Sequence, residues 1–293
     1  MTTIGTPVPF ESHDAQTSLV RAFRTNKLSS IGLVLFLAVV LIAAAAPLLT
    51  VYDPFAQDVT HKLAGPSAAH IFGTDEYGRD IWARMIYGAR LSLLIGLAST
   101  AVAIAVGSLI GVVAGWYGGR LDAFAMQVMD VLLAFPSLIL GMIVVAMLGP
   151  SLANIILAIA LTSVPAFARI ARAPTIALKG RDFIEACRSL GFSTPRILFR
   201  HVLPNIFAEI LVMGSLWLAN AIRTEASLAF IGLGLRPPTP TWGGMIREGF
   251  DNILDSPWLA VVPGTAVLIV IFSLNLIGDG LRDAVDPKLK GGE

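Results

Sequence analysis

Two clusters of charged side chains hold most of the polar chemistry of this chain. The first reads Gly73-Thr74-Asp75 and, two residues on, Gly78-Arg79-Asp80. Carboxylates beside glycines could ligate a divalent cation, but a loop for that purpose carries many more oxygen ligands. An Asp–Arg network fixing this segment against the rest of the protein is the simpler expectation. The second cluster is Asp182 with Glu185, three residues apart. That spacing predicts an acidic capping box, with a helix beginning at Phe183. Gly191 stands where a helix stop places its C′ residue. Asp130 is a lone acid inside an apolar run, read as a structural partner for Arg120 or a neighbouring helix. Arg223 and Glu225 are expected to pair at the end of a later run, a contact worth little if exposed.

Catalytic sets are not visible. The sequence has no GxxxxGK[ST], so it offers no backbone cradle for ATP phosphates, and no HExxH. His13, His61, His70 and His201 are scattered, and Cys187 is the one cysteine, so neither a metal site nor an intrachain disulfide is expected. The formal net charge of +1 gives no nucleic-acid footprint.

The elements that position these residues must be built for lipid. Of 293 residues, 55% are hydrophobic and only 14% charged, against about a quarter charged in soluble domains. A helix needs about 20 apolar residues to cross a bilayer, and six runs qualify. They are Ile31–Leu49, Leu91–Tyr117, Ala123–Gly149 with Asp130, Leu152–Ala168, Ile206–Ile222 with Glu209, and Leu259–Ile277. In lipid the backbone must satisfy itself, so these are helices. The first run is too long for a signal peptide and is read as an anchor. Ala103, Gly107, Gly111 and Gly115 recur every four residues, a strip of small residues on which another backbone can lie. Pro136 and Pro165 predict kinks, and Trp242 and Trp258 predict interface anchors. With the N-terminus inside and alternating spans, fourteen Lys and Arg fall inside and seven outside. That bias favours both termini in the cytoplasm.

Seven of those fourteen inside charges sit in one segment, residues 169–205. There Phe183, Ile184, Ala186, Cys187 and Leu190 predict an apolar face of about two turns, too short to hold alone in water. Ser193 or Thr194 is placed to cap a second helix with Pro195 in its first turn, and Pro204 restarts the chain as the fifth span.

Glu185-Ala186-Cys187, then Gly191, then His201-Val202-Leu203-Pro204 resembles the EAA motif of ABC-importer permeases, departing from it at Cys187 and His201. The segment from Phe72 to Ser92 resembles the dipeptide and oligopeptide subfamily of those permeases. So do Ser227–Gly234, Pro237–Gly243, Gly278–Asp283 and Asp286-Pro287-Lys288. By that resemblance the chain is the C-type permease of such an importer, an all-α membrane protein with the six-helix type I fold. The implied site is the ATPase-coupling loop, with Asp182, Phe183, Glu185, Ala186, Cys187, Gly191, His201, Leu203 and Pro204. The subfamily motif before the second span comprises Gly73, Thr74, Asp75, Gly78, Arg79 and Asp80.

The implied organisation is a cytoplasmic segment 1–30, a first transmembrane helix 31–49, and a periplasmic loop and amphipathic segment 50–89. A transport domain 90–279 containing the coupling loop 169–205 follows, then a cytoplasmic tail 280–293. Implied partners are a second homologous permease, two ATP-binding cassette ATPases, a periplasmic or surface solute-binding protein, and membrane lipid, with no nucleic acid. ATP and Mg would be bound by the ATPases, with no cofactor or metal in this chain. The expected function is peptide uptake across the inner membrane by ATP-driven alternating access, without enzymatic activity of its own. Nickel, glutathione or another small solute is the alternative within the same architecture. An ATP-independent channel or carrier, or a non-transporting scaffold, lies outside it. Pore-lining and substrate-binding residues are not specified by these motifs.

Overall fold

The computed structural model describes residues 26–285, and among these every regular element is a helix. Arg21, Arg24, Asp286, Pro287, Lys288 and Lys290, used above for orientation or resemblance, lie outside the described residues. In chain order the helices are α1 Lys27–Ala44, α2 Ala46–Leu49, α3 Ile81–Tyr117, α4 Gly119–Ala134, α5 Ser137–Leu148 and α6 Leu152–Lys179. They continue with α7 Asp182–Ser189, α8 Thr194–Ile197, α9 Leu203–Leu228, α10 Trp242–Asp251 and α11 Trp258–Val285. A π-type turn, Leu198–Val202, joins α8 to α9 without breaking the rod, which runs as one apolar stretch over Thr194–Leu233.

Five stretches are long and apolar enough to cross a membrane alone: α1, α3, α6, the α8–α9 rod and α11. The sixth crossing is a correction to the single span expected over Ala123–Gly149. It is broken into α4 and α5, bent by 92°. Phe135 is extended and Pro136 caps α5, because the residue before a proline is pushed out of the helical region. Pro165, by contrast, lies inside the continuous α6. Other bounds move outward. α3 begins at Ile81 rather than Leu91, because Asp80 caps it, Oδ1 accepting from the Ala83 N–H at 2.7 Å. α6 runs on to Lys179, beyond Ala168.

Crossing directions follow from which residues meet. A Cβ on Gly107 would lie 2.5 Å from the Val164 carbonyl oxygen, one on Gly111 would collide with that of Ala168, and one on Gly115 would lie 2.9 Å from that of Arg172. Each step of four along α3 is a step of four along α6, so the two helices run parallel, backbone to backbone. The α4–α5 pair between them must therefore cross once in return. α9 runs back: Ile222 faces Gly96 and Gly214 faces Ile104. α1 and α11 are antiparallel, with Gly32 against Ser273 and Leu276, Ser29 against Gly280, and the Asn26 side chain donating to Asp283 at 3.3 Å. Arg90, near the start of α3, donates to the Ala43 and Ala44 carbonyls at the end of α1, so the start of α1 and the end of α11 lie at the same end of the bundle as the C-terminus of α3.

The small-residue strip of α3 should be the least tolerant surface of the fold. Gly111→Ala is expected to destabilise the protein by about 1–3 kcal/mol through overpacking. Gly141→Ala, whose Cβ would meet only Leu228 at 3.6 Å, should be neutral. Thermal unfolding of both variants in detergent, read by intrinsic fluorescence, measures the difference.

Candidate functional site

At the end of the bundle where α3 and α6 finish, α7 lies across the helix ends. Its inner face is apolar: Ile184 is fully buried, Cys187 nearly so, and Phe183 packs partly against them. They join Val112 and Trp116 of α3, Phe167 and Ala171 of α6, and Ile197, Leu198 and Val202. This supplies the holding that a helix of eight residues requires. Arg188 lies over the Trp116 ring, 4.7 Å from its centroid.

Local capping differs from the sequence expectation. The N-cap is Arg181, without a side-chain capping bond, and Asp182 is already inside the helix. The acidic capping box therefore does not form. Asp182 and Glu185 remain in the first turn, where negative charge meets the positive end of the helix dipole. The other end behaves as expected. Gly191 has φ +76°, its N–H bonds the Arg188 carbonyl at 2.9 Å, and the Phe192 N–H reaches the Cys187 carbonyl at 3.0 Å. This is a Schellman stop, which L side chains strain. Ser193 precedes α8, with Pro195 in its first turn.

The apolar face is narrower than expected. Ala186 is exposed and Leu190 is 73% exposed, and with Asp182 and Glu185 they form the outward surface of α7. The motif's second half lies behind that surface. Leu203 packs on the inner cluster, and the half-buried His201 stacks on Phe192 with centroids 6.1 Å apart. Pro204 is exposed at the start of α9. The residues of the two motif halves thus meet through Phe192 and the cluster that buries Ile184 and Cys187.

Two ion pairs brace the same end. Asp130 of α4 pairs with Arg169 of α6 at 2.5 Å, a neighbouring-helix partner rather than Arg120, with both side chains more than half exposed. Asp122 and Arg172 form a bidentate pair at 2.5 and 2.6 Å, which nothing in their spacing of 50 residues foretold.

At the opposite end, residues 50–80 fold over α10 and the start of α3. Asp75 and Arg79 are buried and bonded at 2.6 Å through Nε, and the Arg84 Nε approaches the same carboxylate at 3.2 Å. Arg84 also grips both oxygens of Glu248 at 3.1 Å, and Arg79 reaches Glu248 at 3.4 Å. Two acids and two guanidiniums form one balanced cluster linking the loop, α3 and α10. Burial pushes the Glu248 carboxyl up, while Arg84 and Arg79 pull it back. Asp80 caps α3 and accepts from His70 Nδ1 at 2.9 Å. Thr74 Oγ1 donates to the His61 carbonyl and accepts from the Ala64 N–H. Gly73 and Gly78 sit against the backbone at Ala64 and Asp58, where a Cβ would collide. The carboxylates of this motif are thus taken up by arginine, histidine and backbone N–H. Among the described residues no three His, Cys, Asp or Glu side chains converge as a metal site.

The expected Arg223–Glu225 pair is absent. Glu225 is 2% exposed and lies beside Ser92 and Thr241, with its Oε2 buried and without a hydrogen-bond partner. Arg223 points outward to Asn220, Nη2 to Oδ1 at 2.5 Å. Trp242, expected at an interface, is 1% exposed and donates to the Met85 carbonyl at 3.1 Å; Trp258 is exposed. Neither burial is signalled by local periodicity, whereas Asp80 before an apolar run was a usable sign of where α3 starts.

The sequence pattern of the family described as "Binding-protein-dependent transport system inner membrane component" matches residues 107–291, and that of "N-terminal TM domain of oligopeptide transport permease C" matches residues 17–66. The dipeptide transport system permease protein DppC of Alkalihalophilus pseudofirmus is 42% identical over 287 residues, covering 97% of this chain and 94% of that one. The di/tripeptide transport system permease protein DppC of Pseudomonas aeruginosa is 43% identical, with 92% of this chain and 91% of that one covered. The glutathione transport system permease protein GsiD of Pectobacterium atrosepticum is 45% identical over 77% of this chain and 75% of its own. Inward-facing structures of the MetNI methionine ABC transporter share the fold at a TM-score of 0.55 and 16% identity, covering 69% of this chain and 96% of that one.

Breaking the balanced cluster should be costly. Asp75→Asn keeps the shape but leaves Arg79 and Arg84 short of one negative charge, and is expected to cost about 3–5 kcal/mol. Asp130→Asn, at an exposed pair, should cost far less. Unfolding midpoints of the two variants in detergent make the comparison.

Proposed function

The chain belongs to the binding-protein-dependent transport system inner membrane component family, and on that footing we propose that it is the C-type permease subunit of an ATP-driven peptide importer. The supporting observation is α7: a short helix whose inner face is locked to the ends of α3, α6 and α9 while its outer face is free. A helix held this way cannot move without the bundle. The outward residues Asp182, Glu185, Ala186 and Leu190 would dock on an ATPase subunit, with Phe183 and Cys187 behind them. Gly191, His201, Leu203 and Pro204 would keep that helix in register with α9. ATP and Mg would be held by two such ATPases, and this chain would do no chemistry on them.

The α7 end is then cytoplasmic, which puts the start of α1 and the end of α11 there too. That orientation agrees with the positive charge of residues 169–205. The Asp75–Arg79–Arg84–Glu248 cluster lies at the outer end, where it would hold residues 50–80 rigid for a solute-binding protein. Gly73, Thr74, Gly78 and Asp80 would serve the same rigidity. We assign residues 31–49 as the anchor and 90–279 as the transport domain, with segments 1–30, 50–89 and 280–293 as outlined above. A second homologous permease would complete the pathway. ATP binding draws the docking helices together and favours the outward-open state, since an effector shifts an equilibrium only by binding its two states differently.

Short peptides are the favoured solute because relatives named for dipeptide and di/tripeptide transport match nearly the full chain. Glutathione is the second reading, favoured by the GsiD relative.

Gly191→Pro removes the N–H that bonds Arg188 and fixes φ near −65°. It should abolish peptide uptake while the protein remains in the membrane. Leu190→Glu should reduce co-purification of the ATPase subunits at least several-fold without shifting the unfolding midpoint. Wild-type uptake by the first variant, or undiminished ATPase association in the second, would remove the docking role from α7.

A further inference from the structure

α4 is covered by little of its own chain, and Met129 alone is buried in it. Its exposed positions sort by direction. At 100° per residue, Leu121, Phe124, Val128 and Val131 share one side of the helix, and each of them is exposed. The adjoining side, about 80° of arc, holds Arg120, Ala123, Gln127, Asp130 and Ala134. These are exposed too, and every one is small or polar. The first side suits lipid tails and the second does not.

Two features of that second side require hydrogen-bonding surroundings. One is the Asp130–Arg169 pair, both side chains of which are more than half exposed. Arg169 follows Ala168, whose carbonyl meets Gly111, about 9 Å short of the cytoplasmic end of α3. Charges at such depth face a bundle interior or a water-filled cavity. The other feature is the 92° break that ends the stripe. Phe135 is extended and α5 starts without a side-chain cap. Among the described residues neither the Phe135 N–H nor its carbonyl enters a backbone hydrogen bond. A helix end also leaves its last carbonyls and first N–H groups without partners in the helix. The break lies between Asp130, on the cytoplasmic side, and Gly141, which faces Leu228 at the outer end of α9. It is therefore inside the membrane, where irregular backbone is tolerated only if it is buried in protein or lines a water-filled cavity. This chain does not bury it, since every residue from Ala134 to Ile139 is exposed.

We infer that the small and polar side of α4, from Arg120 to the break at Phe135–Pro136, is a water-covered wall of the solute path. This rests on the importer reading above. The wall presents groups of both kinds: carbonyls at the end of α4, N–H groups at the start of α5, the Gln127 amide and the Asp130–Arg169 pair. Water donates and accepts, so it satisfies all of them, whereas an apolar helix laid on the same side would leave them unpaired. A short peptide has N–H and C=O groups of its own and fits such a wall in place of that water. The large apolar residues of α4, Leu121, Phe124, Val128 and Val131, stand beside the path and not in it.

The test uses the complete complex, with second permease, ATPases and solute-binding protein, in proteoliposomes, with one cysteine added at a time. Gln127→Cys, Ala134→Cys and Ser137→Cys report the wall, and Phe124→Cys and Val128→Cys report the apolar side. The unsubstituted complex, whose Cys187 is buried, is the blank. A charged methanethiosulfonate, which reacts only where water reaches, is present on both faces of the membrane. It should modify the wall cysteines at least tenfold faster than the apolar-side ones, while a maleimide added after denaturation labels all five equally. Slow modification on both sides would place the stripe against lipid and overturn the inference. Slow modification together with cross-linking of the wall cysteines to the second permease would make the stripe a subunit contact and overturn it equally. Fast modification of the wall in a complex that keeps its ATPases but moves no radiolabelled dialanine would uphold the wall and remove the peptide solute instead.

Discussion

The contact on which the rest of the structure depends is the one between the backbones of α3 and α6. In lipid, apolar surface gains little by leaving its surroundings, so helices associate through close packing and through polar contacts. Gly107, Gly111 and Gly115 bring the α3 backbone against the Val164, Ala168 and Arg172 carbonyls of α6. The consequence is geometric. Two parallel helices locked at van der Waals distance bring Trp116 and Ala171 to the same level, and these form part of the seat into which Ile184 and Cys187 fit. They also place Arg169 and Arg172 where α4 presents Asp130 and Asp122. The platform for α7 is thus a product of a glycine spacing more than sixty residues upstream of it.

The opposite end is organised by charge instead. Burying a carboxylate and a guanidinium costs several kcal/mol per ion unless each finds its complement. Asp75, Arg79, Arg84 and Glu248 meet that condition as a set of four, and no pair among them would do so alone, since each arginine touches both acids. The cluster therefore specifies a geometry rather than adding much stability: residues 50–80 can sit on α10 in one register only. A rigid cap at one end and a rigidly held helix at the other, on one frame, are what a two-state transporter requires, because strain at one end reaches the other only if neither end yields.

Much of this was legible in the sequence for physical reasons. Six apolar runs, the small-residue strip and the Gly191 stop each rest on local rules of length, spacing or φ, and each has its counterpart among the described residues. What was not legible depends on long-range register. Arg84 meets Glu248 across 164 positions and Asp122 meets Arg172 across 50, and no local pattern encodes which acid an arginine will find. The break at Phe135–Pro136 was visible as a proline but not as a 92° turn. The capping box failed because the helix began one residue early, at Asp182, so the carboxylate that was to cap it lies inside the first turn.

Arg223 and Glu225 show how much two residues decide. Read along the chain they are neighbours of opposite charge, and pairing is the natural expectation. On a helix they stand about 200° apart, so a face that buries one must expose the other. Glu225 turns inward, beside Ser92 and Thr241, whose hydroxyls accept from the Trp242 and Gly244 N–H groups of α10. It therefore lies where α9 meets α3 and the first turn of α10, the helix that carries Glu248 of the balanced cluster. Arg223 turns outward, to the Asn220 side chain. The same stretch of helix thus turns its acid into the frame and its arginine away from it. A shift of α9 that changes what Arg223 faces must also move Glu225 against α3 and α10.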